Sequence, residues 1–271
     1  MKKFISQPKS TSTLYELWLV RNLVKQLIVR DLTVRYRQTI LGWLWAVVNP
    51  AINLAMYFVV FGVMVRFNPP EYNVPYAWVL LCGLVLWMLF SSTVNSVGDS
   101  LLNNVHLIKK IYFPRIGLAL AGLGVSSVDF IISLLILCAL LLGNDILSIS
   151  KIPLMLLCAG VTALTAWGLG CVVAILRLRF RDFRHIIPLF MQALFYATPV
   201  VWTPGLLPSG LKQLVYLNPL SSLIGLFRYA LLAGPLPSAS MLLANMLGCA
   251  VSVIGGYLFF IYYEAKVTDQ E

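Results

Sequence analysis

The residue types that most often do chemistry are few in this sequence, and their spacing does not form a catalytic or metal-binding set. All five cysteines lie inside apolar runs and none pair at ligand spacing, which is typical of small buried side chains. His106 and His185 are far apart and have no cysteine or carboxylate at ligand spacing. Motifs for a phosphate-binding loop, a zinc protease or a serine hydrolase do not occur. We therefore predict no catalytic residue, no metal and no cofactor on this chain, so that any ATP-driven work needs a second chain.

Asp129 is the one charged residue inside the long apolar run 117–143. A carboxylate at the centre of a bilayer costs about 2.5–3.5 kcal/mol on insertion scales, so this side chain should face protein or water. Proton coupling normally uses a relay of such groups, whereas Asp129 has no basic partner within the apolar runs. We interpret Asp129 as a packing or pore-lining residue rather than a proton carrier.

The elements that must position these residues are apolar helices. The chain is 60% hydrophobic and only 11% charged, with a mean hydropathy of +0.87. A helix needs about 20 apolar residues to cross the hydrocarbon core, and lipid leaves a bare backbone no other partner. Six runs meet or approach this length, at about residues 40–65, 76–98, 117–143, 152–176, 186–202 and 239–263. The sequence therefore predicts an all-α integral membrane protein with six transmembrane helices.

Lysine and arginine are distributed unevenly between the two sides of this topology. Sixteen of the 20 lie in the N-terminal segment, the loops after the second and fourth spans, and the C-terminus. Because basic residues concentrate on the cytosolic side, both termini are expected there. Residues 1–13 and 265–271 would be cytosolic tails, and 1–13 lack the apolar core of a signal peptide. The net charge of +10 follows from this topology, so we do not expect nucleic-acid binding.

Two segments are predicted to lie at the membrane surface rather than across it. Residues 14–37 have an amphipathic pattern, with Leu27 and Ile28 on the apolar face, typical of a basic interface helix. This helix is either a simple anchor or a surface for a charged lipid headgroup or a partner subunit. The proline-rich region 203–237 holds two apolar runs that are too short to span the membrane, 211–217 and 220–232. These runs predict two short re-entrant helices before the last span.

The two long cytosolic loops mix basic and apolar residues. Asn103–Arg115 is expected to contain a short helix ended by Pro114, which is either a partner-docking surface or a linker resting on the membrane. Arg177–His185 interleaves four arginines with Phe180 and Phe183. That pattern indicates either stop-transfer anchoring or a second docking surface.

Several motifs, in order along the chain, resemble those of ABC-2 type polysaccharide export permeases. Val34–Pro50 (VRYRQTILGWLWAVVNP) is similar to the start of their first span, and Leu107–Arg115 (LIKKIYFPR) to their first coupling helix. Phe180–Phe183 (FRDF) resembles the motif before their fifth span. Thr198–Val200 and Leu217–Pro219 resemble their outer gate region, which has two short re-entrant helices.

The resemblance covers about residues 14–264, with 38–264 as the transmembrane domain, and implies a transport subunit rather than an enzyme. Two copies would form a channel in the bacterial inner membrane and dock two copies of a separate ATPase that holds ATP and Mg. The cargo would be a polysaccharide on undecaprenyl diphosphate, with O-antigen exporters the nearest relatives and teichoic-acid and capsule exporters close behind. The residues expected to meet the ATPase are Leu107, Lys109, Lys110, Tyr112, Phe113, Arg181, Asp182 and Phe183.

The chemistry of such a cargo singles out further residues. Arg30, Arg35 and Arg37 lie at the cytosolic membrane edge, where a lipid diphosphate would arrive, and arginine suits phosphate through its forked donors. Simple anchoring explains the same three arginines. Aromatic rings can stack on sugars, and each can equally pack in the core or face lipid. The candidates for lining the channel are Tyr57, Phe61, Trp87, Phe90, Asp129, Phe195 and Tyr196.

Three other functions are compatible with parts of this pattern. An ABC-2 permease for a small molecule such as a drug would share the fold. An ion-coupled transporter or channel would need polar relays inside the spans, and only Asp129 is present. An enzyme acting on lipid-linked sugars would need clustered acids, bases or metal ligands at the membrane edge, whereas the acidic residues are scattered.

Overall fold

The structure, a computed structural model, describes residues 21–36, 41–64, 69–110, 113–144, 146, 149–208, 215 and 217–268. Within these ranges the chain is helical and forms no strand, as the sequence predicts. Nine α-helices are described: α1 (Arg21–Tyr36), α2 (Trp45–Tyr57), α3 (Tyr76–Gly98), α4 (Val105–Lys110), α5 (Ile116–Leu142), α6 (Ile152–Arg179), α7 (Phe183–Ala197), α8 (Pro219–Leu232) and α9 (Ala239–Thr268).

Four of the described helices are long and apolar enough to cross a membrane, namely α3, α5, α6 and α9. Their bounds agree to within five residues with four of the predicted spans. Continuous apolar stretches of this length have no other stable environment than a bilayer or a large core. The chain is therefore a multi-pass membrane protein, and the two remaining predicted spans correspond to shorter helices.

The first predicted span, about 40–65, contains the short 3-10 helix Gly42–Leu44, an α-helix and a π-helix. α2 has 13 residues and continues directly into the seven-residue π-helix Phe58–Met64. Pro50 lies inside α2 and is buried, so protein covers the place where its missing amide removes a backbone hydrogen bond. Because the π-helix prolongs the helical run to Met64, the whole element approaches the length of a span although α2 alone does not.

The predicted span 186–202 does not form one continuous helix. α7 starts three residues earlier, at Phe183, and ends at Ala197 after 15 residues. At 1.5 Å per residue such a helix is about 22 Å long, which is shorter than the hydrocarbon core. Thr198 is already extended, with φ −90° and ψ 140°. The apolar pattern persists beyond this point, but Pro199 disfavours helical geometry for the residue before it.

α6 lies at the centre of the bundle and packs along α3 on one side and α9 on the other. Both contacts depend on glycine. A Cβ added at Gly168 would lie 2.3 Å from the carbonyl oxygen of Ser252 on α9, and one added at Gly170 would lie 2.7 Å from Cβ of Val97 on α3. Small residues allow this approach of backbones, which membrane helices need because lipid provides no hydrophobic driving force between them.

The bundle has two ends of different composition. The end where α3 and α6 finish carries Arg30, Asp99 and Arg177, and we call it the basic end. The end where α3 begins carries α8 and the segment Thr198–Val201, and we call it the proline-rich end. Tyr76, at the start of α3, donates a hydrogen bond to the carbonyl oxygen of Val201 at 2.6 Å. α7 therefore leads from the basic end to the proline-rich end.

Helix α8 corresponds to the second of the two short helices predicted in 203–237. Pro219 occupies its first turn, and Asn218 caps it by accepting a hydrogen bond from the amide of Leu220 at 3.0 Å. The helix ends at Ala233, whose backbone is left-handed with φ 53°. The other predicted short helix, 211–217, lies mostly outside the described residues, as do the tail 1–13 and residues 14–20 of the interface helix.

Candidate functional site

At the basic end, α1 lies against α5 and forms an ion pair with it. Leu32 of α1 is buried against Val125 of α5, and this contact fixes the direction of α1. Arg35, almost one turn further on, pairs with the carboxylate of Asp129. The sequence shows no basic partner for Asp129 within the apolar runs, and the structure supplies one from outside them, on α1. The arginine compensates a carboxylate that lipid alone would not tolerate.

Two cavities with polar and charged groups in their walls meet at Arg35. The outer one, about 530 Å³, opens between α1 and the adjoining ends of α3 and α5. The inner one, about 150 Å³, lies between α2, α3 and α5 and includes Trp45, Asn49 and Asp129 in its walls. Ser92 and Ser126 also face the inner cavity, and their hydroxyl oxygens are 3.3 Å apart. Amide, hydroxyl and charged groups thus follow one another from the basic end into the bundle.

The three arginines predicted to meet a lipid diphosphate are placed as follows. Arg30 pairs with Asp31 and donates to the amide oxygen of Asn104 at 2.8 Å. Arg30 and Arg35 both line the outer cavity, and their side chains are 45% and 42% exposed. Arg37 lies outside the described residues. The structure therefore brings two of the three into one cleft, each beside a carboxylate.

The first predicted docking segment is exposed only in part. On α4, Lys109 and Lys110 are exposed and Leu107 is half-buried. Phe113 is 8% exposed and belongs to the core cluster that includes Leu27, so its ring packs within the bundle and is not presented to a partner. Tyr112 lies outside the described residues. The surface that α4 offers is therefore cationic rather than aromatic.

The second predicted docking segment follows α6 directly. Arg181 and Asp182 are exposed and Phe183 is half-buried. The rings of Phe180 and Phe183 are 6.0 Å apart, and the guanidinium of Arg179 lies 5.1 Å from the Phe180 ring centroid. These contacts order a turn that displays charges of both signs at the same end of the bundle as α4.

The sequence pattern did not identify Arg177 as different from the other arginines around it. Arg179 and Arg181 are exposed, as anchoring residues are, whereas Arg177 is buried. Its guanidinium donates to the side-chain oxygens of Asp99 and Asn95, both at 2.8 Å. The one signal in the sequence is its position directly after the apolar run 152–176.

The six aromatic residues proposed to line a channel lie together in one cluster. The Phe195 ring lies 5.4 Å from Tyr57 and 5.4 Å from Trp87, and 5.3 Å from Tyr196. Tyr57 further contacts Phe61 at 6.3 Å, and Trp87 contacts Phe90 at 5.6 Å. Trp87, Phe90 and Phe195 are buried, whereas Tyr196 is 60% exposed. Asp129 is not part of this cluster. The arrangement presents an aromatic edge from α2 and α7 with a packed interior behind it.

At the proline-rich end a buried arginine joins three elements. Arg228 of α8 is 1% exposed and donates to the carbonyl oxygens of Val79 on α3, at 3.0 Å, and Val200, at 2.6 Å. Gly83 leaves the space for this contact, since a Cβ there would lie 2.7 Å from Nη2 of Arg228. Nearby, burial raises the pKa of Tyr72 and the guanidinium partly offsets that rise, so its phenol stays protonated at neutral pH.

These surfaces define a multi-pass helical membrane protein with polar clefts and charged ends. Among the described residues, no group of three or more His, Cys, Asp or Glu side chains could hold a metal ion. The chain belongs to the ABC-2 type transporter family, whose profile matches residues 22–232. This confirms the family inferred from the motifs.

Curated relatives extend the match to most of the chain. It is 27% identical to an O-antigen export system permease protein RfbA of Klebsiella pneumoniae, over 90% of this chain and 93% of that protein. It is 28% identical to an RfbA of Myxococcus xanthus, over 88% of this chain and 90% of that protein. A polysialic acid transport protein KpsM of Escherichia coli is 21% identical over 78% and 81% of the two chains.

Proposed function

We propose that this chain is the membrane subunit of an ATP-driven polysaccharide exporter, with an O-antigen as the favoured cargo. The observation that carries the proposal is similarity over 90% of the chain to a protein named for O-antigen export. The aromatic cluster of α2, α3 and α7 supports it, because aromatic faces suit the apolar faces of sugar rings. The family match supports transport rather than catalysis by this chain.

The membrane arrangement in this proposal has six crossings in a bacterial inner membrane. α3, α5, α6 and α9 are four of them, α2 with its π-helix is the first, and α7 with the extended segment Thr198–Val201 is the fifth. The basic end faces the cytosol, together with both termini, since it holds the lysines and arginines of α1, α4 and the turn after α6. Helix α8 is then re-entrant from the outer side.

The energy source in this proposal is a separate ATPase that binds ATP and Mg. Lys109, Lys110, Arg181 and Asp182 would meet it, because they are exposed at the same end of the bundle. Leu107 and Phe183, both half-buried, would adjoin that surface. Phe113 would support the surface from within.

The outer cavity at α1 is where the headgroup of a lipid-linked polysaccharide would arrive. Arg30 and Arg35 line it, and a diphosphate would compete with Asp31 and Asp129 for their guanidinium groups. Such a headgroup supplies more acceptor oxygens than one carboxylate does. Arg37 is proposed to contribute from the next residues of the chain.

The channel would form between two copies of the chain. The faces of α2, its π-helix and α7 beside the aromatic cluster are exposed and apolar, including Met56, Val60 and Phe190. Tyr196 lies at the edge of these faces. A second copy placed here would turn the exposed aromatic edge towards the transport path, where Tyr57 and Phe61 could also contact the polymer.

The proposal is tested by purifying the chain from its native membrane in mild detergent and identifying what accompanies it. We expect a stoichiometric partner that has a phosphate-binding loop and hydrolyses ATP. Reversing the charges of α4 with Lys109→Glu and Lys110→Glu should release this partner and stop polymer export. Phe113→Asp is not a suitable variant, because a buried aspartate would disrupt packing whether or not a partner binds.

Lys151→Glu is the matched control, since Lys151 lies over the Tyr229 ring at the proline-rich end. It should leave the partner bound. Transport of solute by the purified chain alone in vesicles, driven by an ion gradient, would contradict the proposal.

A further inference from the structure

Arg177 joins the ends of α3 and α6 at the basic end. Only 5% of its side chain is exposed, although it lies in the last turn of α6. Nη1 donates to Oδ1 of Asp99, and Nη2 donates to Oδ1 of Asn95, each over 2.8 Å. Asn95 lies in the last turn of α3, and Asp99 follows that helix directly. We call these three side chains the Arg177 bridge.

Membrane anchoring alone does not account for a buried arginine. An anchoring charge needs only to be exposed near the headgroups, as Arg179 and Arg181 are. A buried guanidinium loses its hydration, and only well-directed hydrogen bonds compensate for that loss. Its planar fork also fixes the direction of both bonds, which a lysine ammonium would not. The geometry of Arg177 therefore sets the position of α6 relative to α3.

Each side of the bridge is close in sequence to one of the exposed segments at the basic end. After Asp99, the short 3-10 turn Leu102–Asn104 leads directly into α4 with its exposed lysines. Arg177 lies three residues before Phe180, where the turn carrying Arg181 begins. A displacement of either segment is therefore passed to the bridge through only a few residues.

The packing beneath the bridge leaves α3 and α6 little freedom to move separately. A Cβ added at Gly98 would lie 2.6 Å from Cγ1 of Val173 and 3.2 Å from Nη1 of Arg177. Arg30 of α1 donates a hydrogen bond to the amide oxygen of Asn104, so the 3-10 turn Leu102–Asn104 is also held to α1. Close-packed interfaces transmit displacement because they cannot be compressed.

We propose that the Arg177 bridge makes the two exposed segments of the basic end act as one unit, so that movement of an ATPase against either displaces α3 and α6 together. Arg177, Asp99 and Asn95 are then positioning residues for energy coupling, of which Asn95 and Asp99 also line the outer cavity and Arg177 does not. The inference rests on the proposed function, since it requires an ATPase docked on α4 and on the turn after α6.

The test compares ATP hydrolysis by the purified complex in lipid nanodiscs with polymer export by cells that carry the same variants. Asp99→Asn preserves shape and removes the charge at a position that is 42% exposed, so the fold should tolerate it. We expect assembly and hydrolysis within about twofold of the unaltered complex, while export per ATP hydrolysed falls about tenfold, within the range of coupling free energies. Asp99→Glu restores the charge and should restore export. Glu71→Gln, the same type of change at the proline-rich end, is the control.

Unchanged export per ATP in Asp99→Asn would overturn the inference. Equal losses of assembly, hydrolysis and export would overturn it as well, because they indicate a docking or folding defect. Arg177→Lys is measured beside Asp99→Asn, because Asp99 lines the outer cavity and Arg177 does not. It keeps the buried charge but removes the fork, and normal coupling in that variant overturns the inference. If the unaltered chain binds no ATPase, the proposed function fails first, and this result is distinct from any effect of the bridge.

Discussion

Arg35 and Asp129 are 94 residues apart in the sequence, yet their side chains form an ion pair between α1 and α5. The pair joins a surface helix to the only acidic residue within the apolar part of α5. It also separates the outer cavity of the basic end from the inner cavity between α2, α3 and α5. Its position makes it both a structural contact and a candidate contact for an anionic headgroup.

A double-mutant cycle of Arg35→Gln and Asp129→Asn should show an interaction between the two side chains. Because both are partly exposed, at 42% and 25%, solvent screens the pair, and we expect a coupling of about 0.5–1 kcal/mol. The free energy of unfolding of all four proteins in one detergent gives the value. Lys25→Gln, an exposed change on the same helix, should show no coupling to Asp129→Asn. Strict additivity of the Arg35 and Asp129 changes would contradict the pair.

Adding one methyl group at Gly256 should destabilise the α6–α9 contact strongly, whereas the same change at Gly255 should not. A Cβ at Gly256 would lie 2.0 Å from the carbonyl oxygen of Gly168, and one at Gly255 meets no atom within 4 Å. Overpacking of this kind costs about 1–3 kcal/mol, while a helical Gly→Ala change in open space gains up to about 1 kcal/mol. Thermal unfolding of Gly256→Ala and Gly255→Ala in detergent measures the difference. Similar melting temperatures would refute this packing.

Replacing Arg228 should weaken the proline-rich end. Arg228→Met removes the donor to the carbonyl oxygen of Val200 and the second donor to that of Val79, and an unpaired buried acceptor costs about 1–3 kcal/mol. Arg228→Lys should be intermediate, because one ammonium does not reproduce the forked contact. Lys151→Met, which removes a cation over the Tyr229 ring, should cost only about 0.5–1 kcal/mol. Proteolysis from the outer side and thermal unfolding measure the effect. Equal losses for Arg228→Met and Lys151→Met would argue against the role of Arg228.

Ala233→Gly should stabilise the end of α8. The φ of 53° at Ala233 is left-handed, a conformation that costs a residue with a Cβ about 1–2 kcal/mol and costs glycine little. We therefore expect an increase of about 1 kcal/mol in the free energy of unfolding. Ala197→Gly, at a right-handed helical position in α7, should have the opposite sign. A loss of stability in Ala233→Gly would show that the turn does not need a left-handed residue.

The long helices could be predicted from the sequence because their signal is local. Residues 76–98 and 117–143 are nearly free of charge and long enough to span a membrane, and the structure places α3 and α5 there to within one residue. For 186–202 the sequence did not give the bounds of the helix, which runs from Phe183 to Ala197, because hydropathy does not register where backbone geometry changes. Pro199 ends the helical geometry at Thr198 although the residues remain apolar.

For the candidate site too, the sequence indicates which residue types are present, and the structure shows which of them are in contact or buried. The sequence indicates each of the six aromatic residues only by its type, and the structure brings them into one cluster. The family resemblance implies that Phe113 meets a partner, but its ring is buried. The sequence does not show that Arg177 is buried and Arg179 exposed, because the burial of an arginine depends on which helix packs against it.

The sequence by itself determined the class of protein, the approximate limits of its long helices and the concentration of basic residues at one end, because these follow from hydropathy and charge along a single chain. Only the tertiary structure decided which charges are paired: Arg35 with Asp129, Arg177 with Asp99, and Arg228 with two carbonyl groups. The physical reason is that desolvation and hydrogen bonding depend on distances of a few ångströms between segments far apart in sequence, and no local pattern encodes them.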